Sequence, residues 1–209
     1  MKTILAVTGT RADYGIQRPV FEALHRSPKF RLRLAVAGMH LSRRFGHTVD
    51  DIRRDGFSIA ATVDTLPKKD TPLAMAEYVG ETTVALARVF AKEKPDLVML
   101  LGDRGEMLAG AIAAAELGIP IVHLHGGESS GSVDDFFRHA ITQHADIHCT
   151  STPGHTARVR KMRQGAKHLY TVGAPALDTI RTMTPIPKQV LFRKAGFDLR
   201  GVLASVQVD

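Results

Sequence analysis

The sequence predicts an α/β fold, doubly wound around a mainly parallel sheet. Apolar runs too continuous for a half-solvated sheet, among them Leu97–Leu101 and residues 119–124, alternate with segments of helical periodicity. That alternation builds parallel sheets buried on both faces. The runs also end in polar and glycine clusters, Gly102-Asp103-Arg104 after the first and His125-Gly126-Gly127-Glu128 after the second. Open parallel sheets bind ligands outside the carboxyl ends of their strands. Two neighbouring strand ends thus deliver Asp, Arg, His and Glu into one crevice.

The elements follow in order. Residues 3–8 form the first strand, and the turn over 9–14 leads into a helix on which Ile16, Val20, Phe21 and Leu24 recur at helical spacing. Residues 31–37 alternate Arg31 and Arg33 with Leu32 and Leu34 before turning wholly apolar, a second strand. Residues 38–47 read as a loop, 48–54 as a short helix capped by Thr48, and 58–63 as a third strand. A long helix over 73–94 is ended by Pro95, whose ring cannot continue it. The strand 97–101 leads to a helix over 106–117 closed by Gly118, then to the strand 119–124. A helix over 134–145 carries Asp134 and Asp135 in its first turn. Strand 147–149, helix 154–162, strand 169–172 and helix 176–183 complete the series. Pro185-Ile186-Pro187 reads as a linker, followed by a basic helix and a strand-like run over 202–208. The expected organisation is a Rossmann-like domain over 1–183, with 184–209 as linker and opening of a second domain that the sequence lacks.

A hydrophobic fraction of 44% and a charged fraction of 23% are those of an ordinary globular protein. No apolar run approaches the roughly 20 residues that cross a bilayer, and residues 4–7 after Lys2 are too few for a signal-peptide core. The single cysteine, Cys149, allows no internal disulfide framework and has no evident activating partner. A cytoplasmic location without membrane contact is expected. The formal net charge of +7 raises the question of nucleic acid. The charges are scattered, however, with Arg53 and Arg54 beside Asp50, Asp51 and Asp55; aromatics are few and no nucleic-acid motif is present. No nucleic-acid partner is expected; a basic surface that attracts phosphate-bearing metabolites is.

Gly9-Thr10-Arg11-Ala12-Asp13-Tyr14-Gly15 joins the first strand to its helix. Free backbone N–H groups and the helix dipole favour an anion there, and Arg11 adds a fork that grips phosphate in bidentate fashion. The plain alternative is a tight turn with a surface arginine. The segment is neither Gly-x-Gly-x-x-Gly nor a P-loop, so no dinucleotide or other cofactor is implied. His40 reads either as a substrate contact or as a loop histidine that caps a neighbouring helix. His123 and His125 alternate, which on a strand points both to one side. That invites a zinc pair, but no third ligand of suitable spacing is evident and no metal is expected. Asp134 reads either as the N-cap of its helix or as one of three acids, with Asp103 and Glu128, that converge on one sheet edge. Carboxylates crowded in a water-poor cleft acquire raised pKa values and suit proton transfer.

These segments together resemble the UDP-N-acetylglucosamine 2-epimerase family, in particular its hydrolysing branch of sialic and legionaminic acid synthesis. The resemblance runs through Thr8 to Gly15, Gly38-Met39-His40-Leu41-Ser42, Phe45-Gly46-His47-Thr48 and Leu101-Gly102-Asp103-Arg104. It continues through His125-Gly126-Gly127-Glu128, Ser130-Gly131-Ser132-Val133-Asp134-Asp135, Arg138-His139-Ala140-Ile141-Thr142 and Gly173-Ala174-Pro175-Ala176-Leu177-Asp178. It implies one half of a two-domain glycosyltransferase-B architecture with a UDP-sugar in the cleft, and a homo-oligomer in the full-length form. Arg11 and Arg104 are implied to hold the diphosphate, with His40, Asp13 and Tyr14 in the same binding region. Asp103, His125, Glu128 and Asp134 are implied at the sugar, for proton transfer. The non-hydrolysing cousins carry a glutamate where His125 stands, so whether His125 or Glu128 takes that role stays open. The implied reaction removes the C2 proton while UDP leaves C1, then hydrates the 2-acetamidoglucal to N-acetylmannosamine. The exact sugar, N-acetylglucosamine or a bacillosamine type, also stays open. Family members are considerably longer, so activity of this chain alone is not implied. The alternatives are a glycosyltransferase of the same architecture, which needs an acceptor, and a non-catalytic remnant that binds nucleotide or a partner.

Overall fold

The computed structural model describes residues 1–184, 186–194 and 196. Seven strands, β1 (Lys2–Thr8), β2 (Phe30–Ala37), β3 (Ile59–Val63), β4 (Leu97–Leu101), β5 (Ile121–Leu124), β6 (Ile147–Thr150) and β7 (His168–Thr171), form one sheet in the order β3-β2-β1-β4-β5-β6-β7. Every pair is parallel, as the continuous apolar runs require. The chain winds outward from β1 to β3 and then returns to place β4 on the other side of β1. The order therefore reverses between β1 and β4, and a crevice opens there at the carboxyl edge.

Side chains alternate across the sheet and so fill two cores. Leu5, Val7, Val98 and Leu100 pack with Leu86 and Phe90 of α3 (Pro72–Glu93), Met107 and Ala111 of α4 (Gly105–Glu116) and Ile141 of α5 (Asp134–His144). Ile4, Ala6, Met99 and Leu101 face the other way, against Tyr14 and Phe21 of α1 (Arg11–Arg26), Ile52 of α2 (Val49–Arg54) and Phe57. Helix α3 opens on Pro72 with the Thr71 hydroxyl accepting from Ala74 N at 3.2 Å, and it stops where Lys94 turns left-handed before Pro95. Helix α4 lies close on the sheet because Gly110 has no side chain; a Cβ there would stand 3.0 Å from Leu100 Cδ2. After α6 (Pro153–Met162) and β7, residues Met1–Asp178 close one compact unit. Helix α7 (Ala176–Thr182) runs across its end, and α8 (Lys188–Lys194) belongs to the unit that begins at Thr179.

Four details differ from the sequence reading. Residues 38–47 are not plain loop: they wind into two single-turn 3-10 helices, Gly38–Leu41 and Arg43–Phe45. Thr48 does not cap α2 with its side chain, because its hydroxyl bonds the ring of His40 instead. Strand β5 begins at Ile121, since the Ile119 N–H turns back to the Ala114 carbonyl at 2.9 Å. It also ends at Leu124, and His125 takes a left-handed backbone with φ of 63°. The expected strand alternation of His123 and His125 therefore does not exist. Pro185 and the strand expected over 202–208 lie outside the described residues. Among the described residues no helix is long and apolar enough to cross a membrane.

Candidate active site at the carboxyl edge of the sheet

The loop after β1 is shaped by its own acid. Asp13 accepts from Thr8 Oγ1 (3.0 Å), Gly9 N (3.0 Å) and Thr10 N (2.9 Å), while Thr10 Oγ1 accepts from Asp13 N, a reciprocal capping box at the start of α1. Burial raises the Asp13 pKa and these bonds oppose the rise. His40 is fully buried, with Nε2 2.9 Å from Thr8 Oγ1 and Nδ1 2.7 Å from Thr48 Oγ1. Because Thr8 gives its proton to Asp13, Nε2 is the donor and Nδ1 accepts from Thr48. Burial lowers this imidazole to a pKa of about 4, so it is neutral. Tyr14 is buried against Phe21 and Phe57 and donates to Asp55 Oδ2 at 2.5 Å; burial and then Asp55 push its pKa up. Asp13, His40 and Tyr14 thus have their polar atoms engaged inside the protein. Arg11 alone of the predicted residues on this loop is exposed, on the rim of a shallow cavity it shares with Arg18, Thr48 and Arg54.

A larger cavity of about 600 Å³ lies beyond β4. It is lined by Asp103, Arg104, Glu106 and Asp134 together with the apolar Pro72, Met75, Ala76, Val79, Leu108 and Phe137. Asp103 is ion-paired with Arg138 Nη2, whose Nη1 reaches Asp135 Oδ1 at 2.5 Å. Desolvation raises the Asp103 pKa, Arg138 works against it, and the charge of Asp134 adds to it. Asp134 is the first residue of α5 rather than its N-cap, which is Val133 without a side-chain bond, and it accepts from Ser132 Oγ at 3.1 Å. Asp135 gathers the preceding loop: it accepts from Ser130 N (3.0 Å), Gly131 N (3.0 Å) and Ser129 Oγ (2.9 Å), which holds it below the usual carboxylate range. Arg104 gives its Nε–H to Glu106 Oε1 at 2.8 Å.

The end of β5 adds the third cluster. His125 Nδ1 lies 3.3 Å from Glu128 Oε1, and that oxygen accepts from Ser151 Oγ at 2.5 Å. Desolvation lowers the His125 pKa and Glu128 counters part of the drop; Arg138 and Asp103 are within electrostatic reach of the ring. Its Nε2 is buried and has no hydrogen-bond partner among the described residues. His123 is occupied on both sides: Nε2 donates to the Gly102 carbonyl at 2.8 Å and Nδ1 accepts from Thr142 Oγ1 at 3.1 Å. Its burial brings the pKa to about 4. It ties the β4 loop to α5 and offers no lone pair to a metal.

The structure therefore brings Asp103, Arg104 and Asp134 to one cavity, with His125 and Glu128 beside them. Arg11 is exposed at the start of α1, while Asp13, His40 and Tyr14 are buried and bonded within the protein. The reading from residues missed Glu106, Arg138 and Asp135. Arg138 had a signal, since it stands three and four residues beyond two acids on one helix.

Residues 22–198 match the model of the UDP-N-acetylglucosamine 2-epimerase family. A UDP-N,N'-diacetylbacillosamine 2-epimerase (hydrolyzing) from Legionella pneumophila is 43% identical over 95% of this chain and 52% of its own length. A UDP-N-acetylglucosamine 2-epimerase from Neisseria meningitidis is 34% identical over 88% of this chain and 48% of its own length. Among solved structures, the UDP-GlcNAc 2-epimerase from Neisseria meningitidis bound to UDP-GlcNAc superposes with a TM-score of 0.77 at 17% identity, over 95% of this chain and 54% of that one, a likeness of fold. The chain spans about half the length of the curated relatives it matches.

Proposed function

The chain belongs to the UDP-N-acetylglucosamine 2-epimerase family, and on that premise we propose that it is the N-terminal part of a hydrolysing 2-epimerase. In this reading residues 1–183 form the domain that receives the sugar of a UDP-linked 2-acetamido sugar, and 184–209 lead toward a second domain. The reaction takes the C2 proton onto a base, breaks the C1–O bond as UDP leaves, and adds water across the resulting glycal, with C2 reprotonated on the opposite face. Such a C2 proton is weakly acidic, so the leaving diphosphate must be stabilised. Arg104 on the cavity wall and Arg11 across the crevice are the cations for that task.

The observation that carries the reading is the meeting of Asp103, Arg104 and Asp134 in one cavity beside His125. Asp103 has a raised pKa and suits an acid–base role. Between His125 and Glu128, we assign the proton to His125. Glu128, fixed by Ser151, stands 3.3 Å from Nδ1, where its charge favours a proton on that nitrogen, and Nε2 is left without a hydrogen-bond partner, which suits a neutral general base. The apolar residues among the cavity lining, Met75, Val79, Leu108 and Phe137, support a diacetylated sugar of the kind named for the Legionella pneumophila relative. An added acetyl group buries apolar surface there, whereas hydroxyl groups lose water without gaining partners.

The test supplies this chain with the C-terminal half of the Legionella pneumophila relative, fused or in trans, and either UDP-N-acetylglucosamine or UDP-N,N'-diacetylbacillosamine without an acceptor. Release of UDP with the C2-inverted sugar is expected, faster from the diacetylated substrate. Turnover only in the presence of an acceptor supports a glycosyltransferase instead. Absence of both turnover and UDP binding defeats the enzyme reading.

A further inference from the structure

Glu106 is a carboxylate in an expensive place. It is 1% exposed in the first turn of α4, although an acid that merely complements a helix dipole does so from the surface. Burying a charge costs several kcal/mol unless it is paired, and here the pairing is one-sided, since Arg104 keeps 37% of its side chain exposed. Two strand ends have made room for this carboxylate. At Gly9, after β1, a Cβ would overlap the Glu106 carboxyl group itself. At Gly38, after β2, a Cβ would stand 3.2 Å from Glu106 Oε1 and 2.9 Å from Tyr78 Oη, on a backbone with φ of 58°. Tyr78, from α3, is 2% exposed with its hydroxyl turned to the same carboxylate, and burial and then the Glu106 charge push its pKa up.

We propose that Glu106 is the positioning residue of Arg104: it grips the guanidinium by its Nε edge and leaves both Nη groups as a pre-set fork toward the cavity, for the diphosphate of the sugar nucleotide. Among the described residues Glu106 is the one hydrogen-bond partner of the Arg104 side chain. A free arginine loses rotamer entropy when it binds, on the order of 0.5–1.5 kcal/mol for such a side chain. An arginine already held by Nε loses less, and its two Nη donors match two phosphate oxygens. The inference rests on the proposed function, because it takes the ligand to carry a diphosphate.

The experiment uses the 209-residue chain with ¹⁵N-labelled arginine, and UDP and uridine as probes. In the wild type the Arg104 Nε–H resonance, assigned by its loss in Arg104→Lys, is expected to be distinct and slow to exchange. Glu106→Gln should merge it with the exposed arginines and weaken UDP binding by about two- to tenfold, the range set by that entropy. Uridine binding should not change, and in an Arg104→Ala background Glu106→Gln should have no further effect on UDP. An unaltered Nε–H resonance, or equal weakening of UDP and uridine, overturns the proposal. An undiminished effect in the Arg104→Ala background does so too. If the wild type shows the protected resonance but binds no UDP, the site reading fails while the positioning of Arg104 stands. Should Glu106→Gln not fold, Arg104→Lys keeps the charge and removes the Nε contact; UDP binding equal to wild type would then overturn the proposal.

Discussion

Acidification should unfold this domain through two histidines before its carboxylates titrate. His40 and His123 are fully buried and neutral, each with a folded pKa of about 4 against an ordinary value of 6.5. Their folded values are depressed, so the unfolded chain binds more protons and stability rises with pH. The contribution is fully present above pH 6.5 and is lost as pH falls from 6.5 toward 4. Each pKa unit is worth about 1.4 kcal/mol. Between pH 6.5 and 5 each histidine therefore costs about 2 kcal/mol, and the pair about 4, a large part of a typical folding free energy of roughly 5–15 kcal/mol. The raised pKa values of Asp13 and Asp103 act in the opposite sense and offset part of this. The assay is urea unfolding followed by circular dichroism at half-unit steps from pH 7.5 to 4.5. The slope should be positive near pH 5 and drop by nearly one proton per pH unit in His123→Gln, whose amide can still serve Gly102 and Thr142. A flat profile between pH 6.5 and 5, or the same slope in the variant, refutes the reasoning.

Other outcomes are expected. Arg11→Ala and Arg104→Ala should each weaken UDP binding by about 1–3 kcal/mol, the loss of a charge-assisted bond, in calorimetric titration; unchanged binding in both would sink the phosphate assignment. The 209-residue chain alone should release N-acetylmannosamine from UDP-N-acetylglucosamine at a negligible rate, because it spans about half the length of the relatives it matches; robust release would refute this. Gly9→Ala should destabilise the domain by roughly 1–3 kcal/mol through overpacking against Glu106 and weaken UDP binding with it. A thermal melt and a UDP titration on one sample check both effects.

The parallel sheet was legible because Ile4 to Val7 and Leu97–Leu101 are apolar without interruption, as are residues 121–124 but for His123, and few other architectures bury such runs on both faces. Asp103 and Arg104 were legible for a related reason: a strand that stops in Gly-Asp-Arg has to leave them at the edge. The environment of each side chain was not. Asp13 and His40 sit at strand ends like Asp103, yet their polar atoms are spent on Thr8, Thr48 and backbone amides, a matter of side-chain contacts between segments. The His123–His125 alternation looked like a strand, but period-two reasoning holds only as far as the ladder, and pairing of β5 stops at Leu124. Glu106 opens the expected helix over 106–117 with nothing in the sequence to mark it, because its burial depends on Gly9 and Gly38, which lie far back in the chain.

Arg138 stands between Asp103 and Asp135, one cation serving two anions. When both acids are ionised the trio carries a net charge of −1; when a proton lands on Asp103 it becomes neutral, and Arg138 keeps its bond to Asp135. That pair lies within one helix and survives the proton, as do the bonds that tie the 129–131 loop to Asp135; what weakens is the link from this helix to Asp103 at the end of β4. A proton on Asp103 would therefore change the charge of the cavity lining and loosen one cross-link, while the loop before the helix keeps its anchor on Asp135.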